Sequence, residues 1–219
     1  MENERTDNQR KVTEMIKKQG FKRIGIVILG SIIMGIGIHL TILSQLGSDP
    51  LTMLWIGLSD KLSISIGQAN MLVSSVMLLM VFFIDRKELF IGSLLNPIVI
   101  ALTTDILTNV SFQLDSLLFR VLLLVIGFTL MAFGIAVYSL ASFGRGAYEA
   151  LVFSLSTILH GSIRLVRTSF DCLFMLLGFL LGASLSFAPL LAILLMGVMI
   201  QFFVQRLIRP MSKYLGDAS

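Results

Sequence analysis

One cysteine, one tryptophan, two histidines and four prolines are all that the 219 residues hold of those types. Cys172 alone can build neither a disulfide framework nor a cysteine-based zinc cluster. His39 and His160 stand too far apart for a His-Glu-x-x-His zinc helix. Neither a Gly-x-Ser-x-Gly elbow nor a Gly-x-x-x-x-Gly-Lys-Ser/Thr phosphate loop occurs. These absences remove the sequence grounds for a zinc hydrolase, a serine hydrolase or a P-loop ATPase. No catalytic residue, metal or cofactor is therefore expected, and the chain reads as a non-enzyme. Charge is scarce too: Asp, Glu, Lys and Arg make up 14% of the residues, against about a quarter in ordinary soluble domains.

What fills the chain instead is apolar, with 56% hydrophobic residues and a mean hydropathy of +0.91. The few charges crowd the ends: seven Lys/Arg and four Asp/Glu lie in residues 1–23, and three Lys/Arg and one Asp in 206–219. Such an apolar middle, free of the alternation that marks a porin, calls for an all-α membrane protein with several spans. The runs 24–46, 64–84, 89–110, 117–143, 163–184 and 187–208 are each long enough to cross about 30 Å of hydrocarbon. The first lacks a small-residue cleavage site and reads as a retained span rather than a signal peptide. Two shorter apolar pieces, 51–59 and 148–159, would cover only about 14 and 18 Å as helix and are expected not to span. The expected layout is a cytoplasmic segment 1–23, three spans in 24–116, three more in 117–208, and a cytoplasmic tail 209–219.

Lys and Arg accumulate on the cytoplasmic side of membrane proteins. With six spans and the N-terminus inside, fifteen of the seventeen fall on that side, and only Lys61 and Arg120 lie near the outer face. Both termini are thus expected in the cytoplasm, and counting either short piece as a span would scramble this bias. The pI near 9.5 then reflects orientation rather than nucleic-acid binding, and no nucleic-acid partner is expected.

The two halves repeat at an offset of 97. Gly30, Gly37, Gly47, Ser59 and Ser65 recur as Gly127, Gly134, Gly144, Ser156 and Ser162, along with Met34/Met131, Ile38/Ile135 and several leucines. The punctuation is also in register, since Gly47-Ser48-Asp49-Pro50 and Gly144-Arg145-Gly146-Ala147 each separate a full span from a short piece. Three spans per repeat is an odd number, so the second half would insert upside down. That is a 3+3 inverted repeat, in which interrupted segments at matching positions point to a substrate site.

At these residues the sequence resembles the YczE/YyaS/YitT-like family of bacterial multi-pass membrane proteins. The resemblance is carried by Gly47-Ser48-Asp49-Pro50-Leu51-Thr52, by Gly144-Arg145-Gly146-Ala147-Tyr148-Glu149, by Ser162-Ile163-Arg164-Leu165-Val166-Arg167-Thr168 with Asp171 after it, and by Ile91-Gly92-Ser93-Leu94-Leu95-Asn96. Thr52 stands where the family's first turn usually has an acid, and Ala147 where its second usually has proline. Only eleven residues follow Ile208, so the YczE-like branch, without a soluble C-terminal domain, fits better. The resemblance implies a multi-pass protein of the bacterial cell (inner) membrane with a transport or export role.

Ionisable groups at membrane depth normally face the bundle interior or a wet cavity. Arg164, Arg167 and Asp171 are spaced to share a helical face. They suit either a structural ion pair or an Arg-lined carboxylate site with Asp171 as a coupling acid. Helices restarting at Pro50 and Ala147 would turn unpaired N–H groups and a positive dipole end into the gap. Gly47, Asp49, Gly144, Arg145 and Glu149 therefore join Arg164, Arg167 and Asp171 as candidate substrate-binding residues, although ordinary interfacial loops with Asp49 as an N-cap would read the same. His39 within the first span and the Asn96–Pro97, Asp105 and Gln201 positions are weaker polar signals. The expected function is a small secondary transporter or exporter of an organic or anionic solute; the alternative is a non-transporting partner that scaffolds a biosynthetic or membrane complex. Expected partners are the lipid bilayer, an unidentified small solute, and a second copy in a homodimer.

Overall fold

The computed structural model describes the backbone of residues 2–109, 116–184 and 186–208, with side chains for 20–109, 116–184 and 186–206. Nearly all of the loop at 111–116 and the tail 209–219 lie outside the described residues. The described chain is helical: α1 (Glu2–Leu43), α2 (Pro50–Leu62), α3 (Ile66–Asp85), a 3₁₀ turn (Arg86–Glu88), α4 (Ile91–Thr108), α5 (Leu117–Leu140), α6 (Ala147–Ile158), α7 (Ile163–Leu180) and α8 (Ala188–Phe203), which ends in a π turn (Val204–Ile208). There is no break at residue 23, because α1 runs from the charged N-terminal segment straight into the apolar one.

Among the described residues, five helices are long and apolar enough to cross a membrane: the Gly20–Leu43 part of α1, α3, α4, α5 and α8. α7 equals α4 in length but carries Arg164, Arg167 and Asp171 within its eighteen residues. α2 and α6, at thirteen and twelve residues, reach only about 20 and 18 Å and are too short to cross. Both turns expected from the sequence do interrupt the helices, between Leu43 and Pro50 and between Leu140 and Ala147.

Local chemistry explains these boundaries. Asp49 caps α2 by accepting the Thr52 N–H, and Pro50 fills the first helical position, where its missing N–H has no partner to lose. Ser65 and Ser162 cap α3 and α7 by accepting from the N–H of Gln68 and of Leu165. Gly47 and Gly144 each have φ +97°, a left-handed geometry that glycine adopts without steric cost. The helix starts of the two halves, 50/147, 66/163 and 91/188, all differ by 97, as do the left-handed residues Gln45/Ser142 and Ser63/His160.

α1 and α5 form the central pair and run antiparallel. Gly30 lies against Gly134 and Tyr138, while Gly37 lies against Gly127 and Met131. A methyl group at any of these four glycines would come within 3.0 Å of backbone atoms of the other helix. This is the small-residue seam by which membrane helices approach closely. Around it the packing is reciprocal: α1 packs on α4 as α5 packs on α8, and α2 packs on α7 as α6 packs on α3.

Polarity is turned outside in. Large apolar side chains such as Phe83, Ile106, Leu180 and Leu194 are mostly exposed, whereas Ser31, Thr41, Ser48, Asn70, Ser93, Asn96 and Asp171 are buried. An apolar exterior this extensive belongs against lipid.

Candidate functional site

Each of the helices α1 to α8 borders one central cavity of about 70 Å³, enough for several waters or a compact solute. Its lining repeats between the halves. Met34/Met131, Ile38/Ile135, Pro50/Ala147, Leu51/Tyr148, Thr52/Glu149, Asn70/Arg167 and Ser74/Asp171 pair at an offset of 97, and Asn96/Ala192 and Ile100/Met196 at 96; Asp49 and Trp55 complete it. The first turns of both short helices thus open onto the same space.

On the second-half side, the Tyr148 hydroxyl donates to Asp171 Oδ1 at 2.6 Å, with the Arg167 carbonyl oxygen 3.2 Å away. The Arg167 guanidinium stands over the Tyr148 ring, 5.2 Å from its centroid, and Phe174 meets that ring edge-on. The carboxylate of Asp171 is therefore held by the tyrosine, and the arginine is braced by the ring. Glu149 lies in the first turn of α6. A methyl at Gly146 would come 2.6 Å from its Oε2 and 3.2 Å from Asn96 Oδ1, so the absence of a side chain at 146 keeps this corner open.

On the first-half side, Asp49 accepts from Ser48 Oγ at 3.2 Å, and Ser48 Oγ lies 2.5 Å from Thr41 Oγ1. In α3, Ser74 Oγ donates to Asn70 Oδ1 and Asn70 Nδ2 donates to the Pro97 carbonyl. α3 and α7 thus place a polar pair four residues apart at matching positions, neutral in one and charged in the other. Asn96 Nδ2 donates to Ser31 Oγ. Two buried groups on the lining make no hydrogen bond: Thr52 Oγ1, on a residue 1% exposed, and Trp55 Nε1, on one 4% exposed. Both residues border the cavity from successive turns of α2, while these two atoms themselves are covered.

Of the sequence candidates, Asp49, Glu149, Arg167 and Asp171 meet at the cavity, and Gly47 and Gly144 shape the turns behind it. Arg164 does not join them. It is exposed in the first turn of α7, seven residues and so about 10 Å along the axis from Asp171. Arg145 also stays outside. It ion-pairs with Glu88, its backbone N–H donates to the Glu88 carbonyl, and it stacks 3.9 Å from the Phe153 ring centroid. Together with Lys87, Glu88 and Tyr138 it lines a surface cleft that shares Ile135 and Glu149 with the central cavity. Asp105 has a local role, accepting from Ser65 Oγ at 2.6 Å and from the Gly67 N–H at 2.8 Å. His39 is buried in α1 and does not line the cavity. Thr52, Trp55, Asn70, Ser74 and Tyr148 are not among the sequence candidates. Matching the halves by identical residues passes over Thr52/Glu149, Asn70/Arg167 and Ser74/Asp171, whereas matching them by polarity finds all three.

A central cavity that gathers buried polar side chains, inside a helical shell with an apolar surface, marks an integral, multi-pass α-helical membrane protein. The chain belongs to the family of unknown function DUF6198, whose model matches residues 21–205. It is 35% identical over 189 residues to an uncharacterized protein of Haemophilus influenzae, covering 86% of each chain. Against the uncharacterized protein YyaS of Bacillus subtilis it is 27% identical over 179 residues, 80% of this chain and 89% of the relative. Against the uncharacterized membrane protein YczE of the same organism it is 22% identical over 174 residues, 79% of this chain and 81% of the relative. These relatives bear out the resemblance to the YyaS and YczE group. No solved structure matches the chain.

Proposed function

We propose that the protein is a small secondary transporter or exporter of an organic solute, with six spans in a 3+3 inverted repeat and both termini cytoplasmic. One observation carries this reading: the central cavity is lined by the same positions of both halves, around an antiparallel pair in which Gly30 meets Gly134 and Gly37 meets Gly127, each contact the repeat counterpart of the other. A substrate space on the axis relating two inverted halves is what alternating access requires, since rocking one half against the other exposes the same residues to either side. In this reading α7 is the sixth span, with Arg167 and Asp171 directed inward at the depth where ionisable groups serve transport. The cleft beside Arg145 and Glu88 is the cytoplasmic approach, and the ion pair between those two side chains closes over it.

Flux into proteoliposomes across a panel of amphipathic organic solutes, with and without a pH gradient, tests the proposal. Accumulation above that of empty liposomes, reduced severely by Asp171→Asn at normal abundance, is the expected result. Folded, reconstituted protein that moves no solute under either condition overturns it.

A further inference from the structure

We infer that the central cavity takes a small organic monocation, a protonated amine that also carries a hydroxyl or carbonyl oxygen. This rests on the transporter reading for its consequence, but it stands on the cavity's own chemistry.

Among the described residues, three carboxylates, Asp49, Glu149 and Asp171, border the space, against one guanidinium, that of Arg167. Their formal sum is two negative charges. The N-termini of α2 and α6 each contribute roughly half a positive charge at the cavity, which leaves about one negative charge to be matched. Those helix ends are not free to bind an anion. Asp49 caps the first through the Thr52 N–H, and Glu149 occupies the first turn of the second. Arg167 already sits over the Tyr148 ring, next to the Asp171 carboxylate. With Arg164 at the exposed start of α7, no pair of guanidinium groups among the described residues lines the cavity to hold a carboxylate or phosphate.

The second requirement comes from α2. Trp55 Nε1 can only donate a hydrogen bond, and both it and Thr52 Oγ1 are buried on the lining without partners. Leaving such donors unmatched is costly, so an occupant that brings an acceptor oxygen to α2, met by a small turn of the Thr52 and Trp55 side chains, gains over one without it while its ammonium faces the carboxylates.

Trp55 is the only tryptophan in the chain, so its fluorescence reports on the cavity directly. The test uses purified full-length protein in nanodiscs and two matched sets of probes: ethanolamine, ethylene glycol and glycolate, and phenethylamine, phenethyl alcohol and phenylacetate. Within at least one set, the amine should change Trp55 emission saturably, with an affinity at least tenfold above its alcohol and carboxylate counterparts. Asp171→Asn and Glu149→Gln should each weaken amine binding at least tenfold. Arg167→Gln should strengthen it several-fold, because a competing positive charge is removed; this gain cannot come from misfolding. Saturation by glycolate or phenylacetate that Arg167→Gln abolishes overturns the proposal in favour of an anion site. Unchanged emission with all six probes, in wild-type protein that is monodisperse and melts cooperatively, overturns it in favour of a cavity that holds only water. Amine binding without proteoliposome flux refutes the transporter reading and leaves the cation site standing; flux of the carboxylates without amine binding does the reverse.

Discussion

Replacing Gly37 by alanine tests whether backbone proximity holds α1 against α5. The added methyl would lie 2.7 Å from the Gly127 carbonyl oxygen, 2.7 Å from Met131 N and 2.8 Å from Met131 Cγ, where ordinary contact begins at 3.4 Å. The methionine can swing aside, but the two backbone atoms cannot, so the helix axes must part by roughly 1 Å. Overpacking of this kind costs about 1–3 kcal/mol. Against it stands the better helix propensity of alanine, up to about 1 kcal/mol. In a bilayer that gain shrinks, because separate spans are already helical before they associate. The steric cost therefore wins by about 1–2 kcal/mol, a fall in Tm of roughly 2–8 °C for a chain of this size. Gly197→Ala is the control, since nothing lies within 4 Å of a methyl there and only the propensity change remains. Thermal unfolding of both variants in detergent, followed by circular dichroism, makes the comparison. Adding Gly127→Ala to Gly37→Ala should cost less than Gly127→Ala alone, because the seam is already open. A Gly37→Ala protein that melts at or above the wild-type temperature refutes the reasoning.

Asp105→Ala removes the acceptor for Ser65 Oγ and the Gly67 N–H and should destabilise the protein by about 1–3 kcal/mol, measured by the same melts. Gly47→Ala and Gly144→Ala force an L-residue to φ +97° at a cost of about 1–3 kcal/mol each. Gly144→Ala should be the worse, because its methyl meets the backbone nitrogen of Phe90, whereas that of Gly47 meets the movable Ser186 hydroxyl. A double-mutant cycle on Glu88 and Arg145, whose side chain is 46% exposed, should give a coupling below about 1 kcal/mol in stability, so a larger effect on transport than on melting would mark the pair as a gate. A cysteine placed at position 87 in a Cys172→Ser background should resist impermeant maleimides added outside intact cells; labelling there overturns the proposed orientation.

The helical class, the apolar segments and both interrupted turns are legible in the sequence because run length and glycine–proline punctuation act locally. Asp49 at a cap and the left-handed glycines follow from the same local rules. The site is legible only in part. Spacing groups Arg164 with Arg167 and Asp171 on one side of a helix, but it says nothing of how far along the axis the cavity extends. Seven residues carry Arg164 about 10 Å from Asp171, past the end of the lining. Arg145 belongs to the gap by its place in the turn, yet its long side chain reaches back to Glu88 and Phe153. Tyr148 and Trp55 escape notice because an aromatic residue in an apolar run gives no sign of its polar atom until its neighbours are known.

The glycine seam also sets a condition on biosynthesis. α1 ends at Leu43 and its partner α5 at Leu140, so almost a hundred residues must be made between them. At about 5–20 residues per second, that is on the order of 5–20 s during which α1 has no α5 to pack against. Through that interval the groove formed by Gly30 and Gly37 stands open to whatever membrane component is beside it, and the last helices to leave the ribosome complete the site that the first one began.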